Sequence, residues 1–155
     1  MRLDQVMKRR LRTCQREDSL DRVAQTMWET DCSCLPVVDG DGCLLGVVTD
    51  RDVCMAAHFQ GGPLYALKVQ DAMSKDVFAC KPQDTIAAAE ALMRSNRIYE
   101  VPVVDEANHV VGVLSLSDLA SENGEGARPA RGQANEISRT LGGVCGCPED
   151  LIAPV

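Results

Sequence analysis

Aromatic residues are scarce: two Phe, two Tyr and one Trp, 3% of 155 residues. Any core must therefore be aliphatic, and the 45% hydrophobic content supplies one. A basic balance is also missing. The net charge of −7 and pI of about 4.8 argue against a dedicated nucleic-acid binder, which needs a basic footprint. The one basic cluster, Lys8, Arg9, Arg10 and Arg12, is short and reads as a solvated face or a subunit contact. No apolar run approaches the ~20 residues of a membrane span. The start, Met1 to Gln5, lacks the apolar stretch of a secretion signal. A cytoplasmic location with no membrane and no nucleic-acid partner is expected. There is no Gly-x-Gly-x-x-Gly, no Walker loop and no paired nucleophile and base, and His58 and His109 sit in no motif. Enzymatic activity is not expected.

What is present is a repeat. Gly46-Val47-Val48-Thr49-Asp50-Arg51-Asp52 returns 66 residues later as Gly112-Val113-Leu114-Ser115-Leu116-Ser117-Asp118. The same offset carries Pro36-Val37-Val38-Asp39 onto Pro102-Val103-Val104-Asp105, and Cys14, Asp18 and Met27 onto Cys80, Asp84 and Met93. Residues 7–52 and 73–118 share 11 of 46 positions without a gap, where average residue usage gives roughly three. A repeat of this kind governs every later fold argument. A unit of about 60 residues buries too little surface to stand alone, so two should share one core.

Each repeat reads strand–helix–strand–strand–helix. In the first, Leu11 to Cys14 is a candidate short strand, and Asp18 is the expected N-cap of a helix carrying Leu20, Val23, Ala24 and Met27 at helical spacing. Leu35 to Val38 and Cys43 to Thr49 form a hairpin around Gly40-Asp41-Gly42, both glycines being suited to positive φ. A helix from Thr49 or Asp50 carries Val53, Cys54 and Ala57. In the second, Val77 to Ala79 opens, Asp84 caps a helix with Ile86, Ala89 and Met93 inside, and a hairpin turns at Glu106-Ala107-Asn108. Ser117 begins the last helix. The expected division is 1–58 for the first repeat, 59–72 for a connector, 73–122 for the second repeat, and 123–155 for a flexible linker and tail. Leu64 to Met73 reads as one amphipathic helix, and Asn135 to Leu141 as a short docking helix.

The eight cysteines of a reducing compartment are thiols, ligands or redox groups rather than staples. Cys14, Cys43, Cys54 and Cys80 read as small core residues. Cys32 and Cys34 would share one strand face, but two thiols do not complete a zinc site. A minor reading joins Cys32 and Cys34 to Cys145 and Cys147 of the tail in a metal site or redox pair. The second functional class is accordingly a thiol-based redox or metal-responsive dimerisation module without nucleotide.

The doubled pattern Pro-Val-Val-Asp, hairpin, Gly-h-h-Thr/Ser-x-x-Asp resembles the cystathionine-β-synthase (CBS) domain pair, or Bateman module, over residues 1–122. The resemblance implies an α+β fold of two β-α-β-β-α repeats packed as a pseudo-twofold pair. It implies a stand-alone regulatory module, a homodimer formed by helices of both repeats, and an adenosyl ligand in the cleft between repeats: AMP, ADP, ATP or S-adenosylmethionine. The downstream protein partner is not specified. Carried over by position, Asp52 and Asp118 would hold ribose, and Thr49, Ser115, Ser117 and Arg51 would touch phosphate. Val47 and Val113, with the segments from Cys32 to Cys34 and Ile98 to Glu100 and the stretches near Arg12 and Phe78, would receive adenine. The motif's chemistry fits that role, because an Asp accepts from hydroxyls and a helix start favours phosphate. Tight phosphate binders of the family often carry a basic residue two positions before the proline. Here those positions are Cys34 and Glu100, so unequal sites are expected, the one with Thr49, Arg51 and Asp52 being the better.

Overall fold

The computed structural model describes residues 1–9, 11–122 and 144. The chain order is α1 (Leu20–Thr30), β1 (Cys34–Val38), β2 (Leu44–Thr49), α2 (Asp50–Gln60), α3 (Ile86–Asn96), β3 (Glu100–Val104), β4 (Val110–Ser115) and α4 (Leu116–Glu122). The fold is α+β, with two small sheets, β1 with β2 and β3 with β4. The linker, the docking helix and the tail cysteines Cys145 and Cys147 expected from the sequence lie outside the described residues.

Backbone contacts divide the chain into two units. One comprises residues 8–81 and 102–113, the other 1–7, 82–101 and the chain from 114 onward. In the first, β1 and β2 are antiparallel, with Cys34 opposite Thr49, Pro36 opposite Val47, and an irregularity between Val37 and Val38. Pro36 sits mid-strand in β1, an edge strand of its two-stranded sheet. It is tolerated because its outer side meets a single bridging residue, Cys14, whose N–H donates to the Pro36 carbonyl (3.0 Å). No ladder bond is lost for want of a proline donor. The core joins Leu20, Val23 and Met27 of α1 to Leu35, Val37 and Val48 of the sheet, with Val53 and Ala56 of α2 and Leu67, Val69 and Met73 of the connector. In the other unit Leu3, Ala89, Met93, Val101, Leu114 and Leu119 are buried. The aliphatic expectation holds among the described residues: no aromatic side chain is buried.

The repeat is visible in backbone detail. Asp31 and Arg97 end α1 and α3 in the left-handed conformation (φ 51° and 54°). The hairpin turns place Gly42 and Asn108 at positive φ (88° and 68°). Each turn is closed by an Asp carboxylate: Asp39 accepts from Asp41 and Cys43 N–H, and Asp105 accepts from Ala107 and His109 N–H. Gly40 does not take positive φ.

Several expectations are corrected. The opening strands Leu11 to Cys14 and Val77 to Ala79 reduce to single parallel bridges at Cys14 and Cys80. Ser19 and Thr85, not Asp18 and Asp84, cap α1 and α3, accepting from Arg22 N–H (3.3 Å) and Ala88 N–H (3.2 Å). Asp18 instead closes the preceding turn by accepting from Gln15 N–H (2.8 Å). The connector is not one helix but two short turns, Leu64–Ala66 and Val69–Asp71, with extended backbone at Leu67 and Lys68. The reason is competition for backbone groups. The Leu67 carbonyl accepts from Leu20 N–H, and Val69 and Gln70 N–H donate to the carbonyls of Asp18 and Arg16 (each 3.0 Å).

That last pattern has a copy. Leu3 and Asp4 N–H donate to the carbonyls of Asp84 and Pro82 (each 3.0 Å). The repeat therefore begins upstream of residue 7, with an arm at 2–8 and a second at 68–74. Each arm lies on the other repeat. Residues 2–5 pair with 82–85 and Lys8 with Val113, while 68–70 pair with 16–19 and Ser74 with Val47.

Candidate functional site

Gly46 shows why the motif opens with glycine. A Cβ there would lie 2.5 Å from Met73 Cε and 2.6 Å from the Ser74 carbonyl oxygen. The close approach is made by the arm. Val47 follows, half-buried, and exchanges both backbone bonds with Ser74 (3.0 and 2.9 Å). Val113 does the same with Lys8 (3.0 and 3.1 Å). At both predicted adenine positions the backbone is thus engaged with the arm of the other repeat.

The motif ends in a reciprocal cap. Thr49 Oγ1 accepts from Asp52 N–H (3.2 Å), and Asp52 Oδ2 accepts from Thr49 N–H and O–H (each 2.8 Å). Ser115 and Asp118 repeat it: Asp118 N–H donates to Ser115 Oγ (3.1 Å), and Asp118 Oδ2 accepts from Ser115 N–H (2.9 Å) and O–H (2.6 Å). Ser117 Oγ adds a contact to Ser115 Oγ at 2.7 Å. Both side-chain bonds that Asp52 accepts from Thr49 fall on Oδ2. The remaining first-turn amides of α2 are used as well. Asp50 N–H donates to the Ser33 carbonyl (3.0 Å) and Arg51 N–H to Asp50 Oδ1 (2.7 Å). The helix start therefore does not present the free amides anticipated from sequence for a phosphate. Among the described residues at this end, Arg51 carries an exposed side-chain donor.

Cys34 opens β1 directly opposite Thr49. Cys32 lies outside the strand, so the two thiols do not share a strand face. Its Sγ is 3.2 Å from Thr30 Oγ1, and it lines a groove of about 630 Å³ between α1 and α2 with Trp28, Asp31, Asp50 and Cys54. Thr49, Arg51, Asp52 and Val47 do not line that groove. Ile98, half-buried, donates to the Met93 carbonyl just past the end of α3. Among the described residues no group of three or more His, Cys, Asp or Glu side chains is placed to hold a metal.

The thiols divide by environment. Cys14 and Cys80 are buried as expected, Cys43 is half-buried, and Cys54 is exposed, against the core expectation, because Val53 and Ala56 supply the inner face of α2. Burial, with Asp18 nearby, pushes the Cys14 thiol up to about 12. Under native conditions at pH 8, maleimide is expected to label Cys54 and spare Cys14 until the protein is unfolded, as mass mapping of peptides will show.

The chain is thus an α+β protein built from two copies of one hairpin-and-capped-helix unit. The CBS-domain family model matches residues 3–58 and 69–124, and the chain belongs to that family. It is 34% identical over 114 residues to a homoserine O-acetyltransferase of Methanococcoides burtonii, covering 74% of this chain and 22% of that protein. It is 30% identical to the CBS domain-containing protein YhcV of Bacillus subtilis, covering 74% and 79%. The chain thus spans about a fifth of the larger relative and most of the smaller. Among solved structures it resembles a protein with CBS domains from Burkholderia ambifaria MC40-6 (26% identity, TM-score 0.74, covering 84% and 99%). It also shares the fold of the CBS pair of protein MJ0100, solved with 5′-methylthioadenosine and S-adenosylmethionine (22%, TM-score 0.73, covering 80% and 96%). CBSX2, solved with AMP, has the same fold (22%, TM-score 0.69, covering 78% and 94%). No helix among the described residues is long and apolar enough to cross a membrane.

Proposed function

We propose that the chain is a cytoplasmic, non-enzymatic regulatory module that senses an adenosyl ligand, AMP, ADP, ATP or S-adenosylmethionine, and acts as a homodimer on a separate protein. The observation that carries this reading is the Thr49–Asp52 cap. One carboxylate oxygen fixes the helix start, and the other is left for a ribose hydroxyl beside the exposed Arg51. Capping and ligand binding are therefore compatible roles for one residue. The ligands of MJ0100 and CBSX2 share the adenosine part that such a carboxylate would grip. Regulation follows if the ligand binds one arrangement of the module more tightly than another, since only differential affinity shifts a population.

The two sites differ in what they offer a phosphate. Arg51 supplies a charged donor where the second repeat has Ser117, and Glu100 stands where the first has Cys34. The first site favours a phosphorylated nucleotide, the second a ligand without clustered phosphates. Titration calorimetry with the four ligands tests the reading. Saturable binding of a nucleotide near one per chain is expected; no heat with any of them contradicts it.

A further inference from the structure

The repeat supplies an internal control for the groove between α1 and α2. Helices α1 and α3 each have 11 residues and end in the same left-handed conformation, at Asp31 and Arg97. Sixty-six positions on, the groove residues Trp28, Asp31 and Asp50 become Arg94, Arg97 and Leu116. The repeat unit therefore needs neither an indole nor a carboxylate at these places. Asp31 also opposes the macrodipole at the end of α1, whose last turn holds no basic residue. Among the described residues its carboxylate makes no ion pair. Trp28, the only tryptophan, is 88% exposed. Residues that break local rules in this way are expected where a chain has a function to serve.

The groove has one chemical character. Met27 and Val53 line it with buried apolar surface, Trp28 with an exposed indole, and Asp31 and Asp50 with exposed carboxylates. No basic side chain of the described residues lines it. We infer that this groove binds a small organic cation, an ammonium group carrying a hydrocarbon or aromatic part. An indole face attracts an ammonium through the ring quadrupole, and a carboxylate attracts it by charge. Burial against Met27 and Val53 favours the hydrocarbon part. The volume of about 630 Å³ is that of a small-molecule site. The same two carboxylates repel a phosphorylated nucleotide, so the groove adds a second ligand class to the one proposed at Asp52 and does not rest on it.

Trp28, as the only indole, reports on the groove directly. Three probes built on one ring are titrated into the full chain: benzyltrimethylammonium, benzyl alcohol and phenylacetate. The cation is expected to change Trp28 emission saturably, to protect the indole from acrylamide quenching, and to bind ~3- to 30-fold more tightly than the alcohol. Phenylacetate is expected to leave the emission unchanged. Asp31→Asn removes one charge and is expected to weaken the cation ~2- to 5-fold. Asp31→Arg installs the residue that the second repeat holds in the same backbone conformation. It is expected to keep the native circular dichroism spectrum and to weaken the cation at least ~10-fold. Equal binding of the three probes, or a cation affinity unmoved by both substitutions, overturns the site. A second copy of the chain seated on the groove would shield Trp28 from acrylamide before any probe is added, and that result overturns it too. Each of these outcomes leaves nucleotide binding at Asp52 to its own calorimetric test.

Discussion

Asp52→Ala is expected to lower nucleotide affinity about 30- to 100-fold, while Asp118→Ala changes it less than about threefold. Hydrogen bonds to a charged group contribute about 1.5–3 kcal/mol, a factor of roughly 10 to 100. On the proposed reading Asp52 Oδ1 would accept from the ligand and Arg51 would donate to its phosphate; in the second repeat Ser117 stands at the position of Arg51 and Glu100 at that of Cys34. The opposing view holds that both carboxylates only cap helices. It predicts that each variant loses about 1 kcal/mol of stability and that ligand affinity is unmoved. Asp52→Asn separates the two, since an amide oxygen still accepts the bonds from Thr49 but the charge is gone. A fall in affinity with Asn at nearly unchanged stability assigns the carboxylate to the ligand. Equal losses from Asp52→Ala and Asp118→Ala would sink the claim of unequal sites.

The second large effect is on stability. Gly46→Ala is expected to destabilise the protein by about 2–3 kcal/mol, in the range of core overpacking, and to lower the melting temperature by roughly 6–12 °C. Half of the clash is with a flexible methionine end, which can move. The other half is with the Ser74 carbonyl, at 2.6 Å, and that backbone is held by two bonds to Val47. Gly40→Ala is the control. Nothing lies within 4 Å of its Cβ and its φ is not positive, so its effect should be near zero or slightly stabilising. If both substitutions behave alike in a denaturant titration, the arm does not require glycine at 46.

The 66-residue offset was enough to read both hairpins, the four helices and the two hydroxyl–carboxylate motifs, because each rests on local chemistry stated twice. It did not show which copy each arm serves. Residues 2–8 and 68–74 are equivalent by sequence, and equivalence is silent about whether an arm packs on its own repeat or the other. The same blindness produced the single connector helix: Leu64, Leu67 and Val69 have apolar spacing, but the Leu67 carbonyl and Val69 N–H are claimed by the loop before α1. Adjacent capping candidates were also beyond sequence. Asp18 and Ser19 are comparable N-caps, and the choice falls to Ser19 only because Asp18 is held by Gln15. At the site, the motif residues were legible but their competition was not. The Thr49 hydroxyl and the first amides of α2 are spent within the protein, so the proposed reading assigns phosphate to Arg51.

The central claim is that the folded chain binds an adenosyl ligand through Asp52. A thermal-shift panel with AMP, ADP, ATP and S-adenosylmethionine, run on wild type and Asp52→Ala, tests it most directly. A ligand at 100 times its dissociation constant adds about 2.7 kcal/mol to stability, a rise of roughly 5–10 °C at this size. The account predicts such a rise for at least one nucleotide in the wild type and its loss in Asp52→Ala. No shift with any ligand, or an equal shift in both proteins, would contradict it.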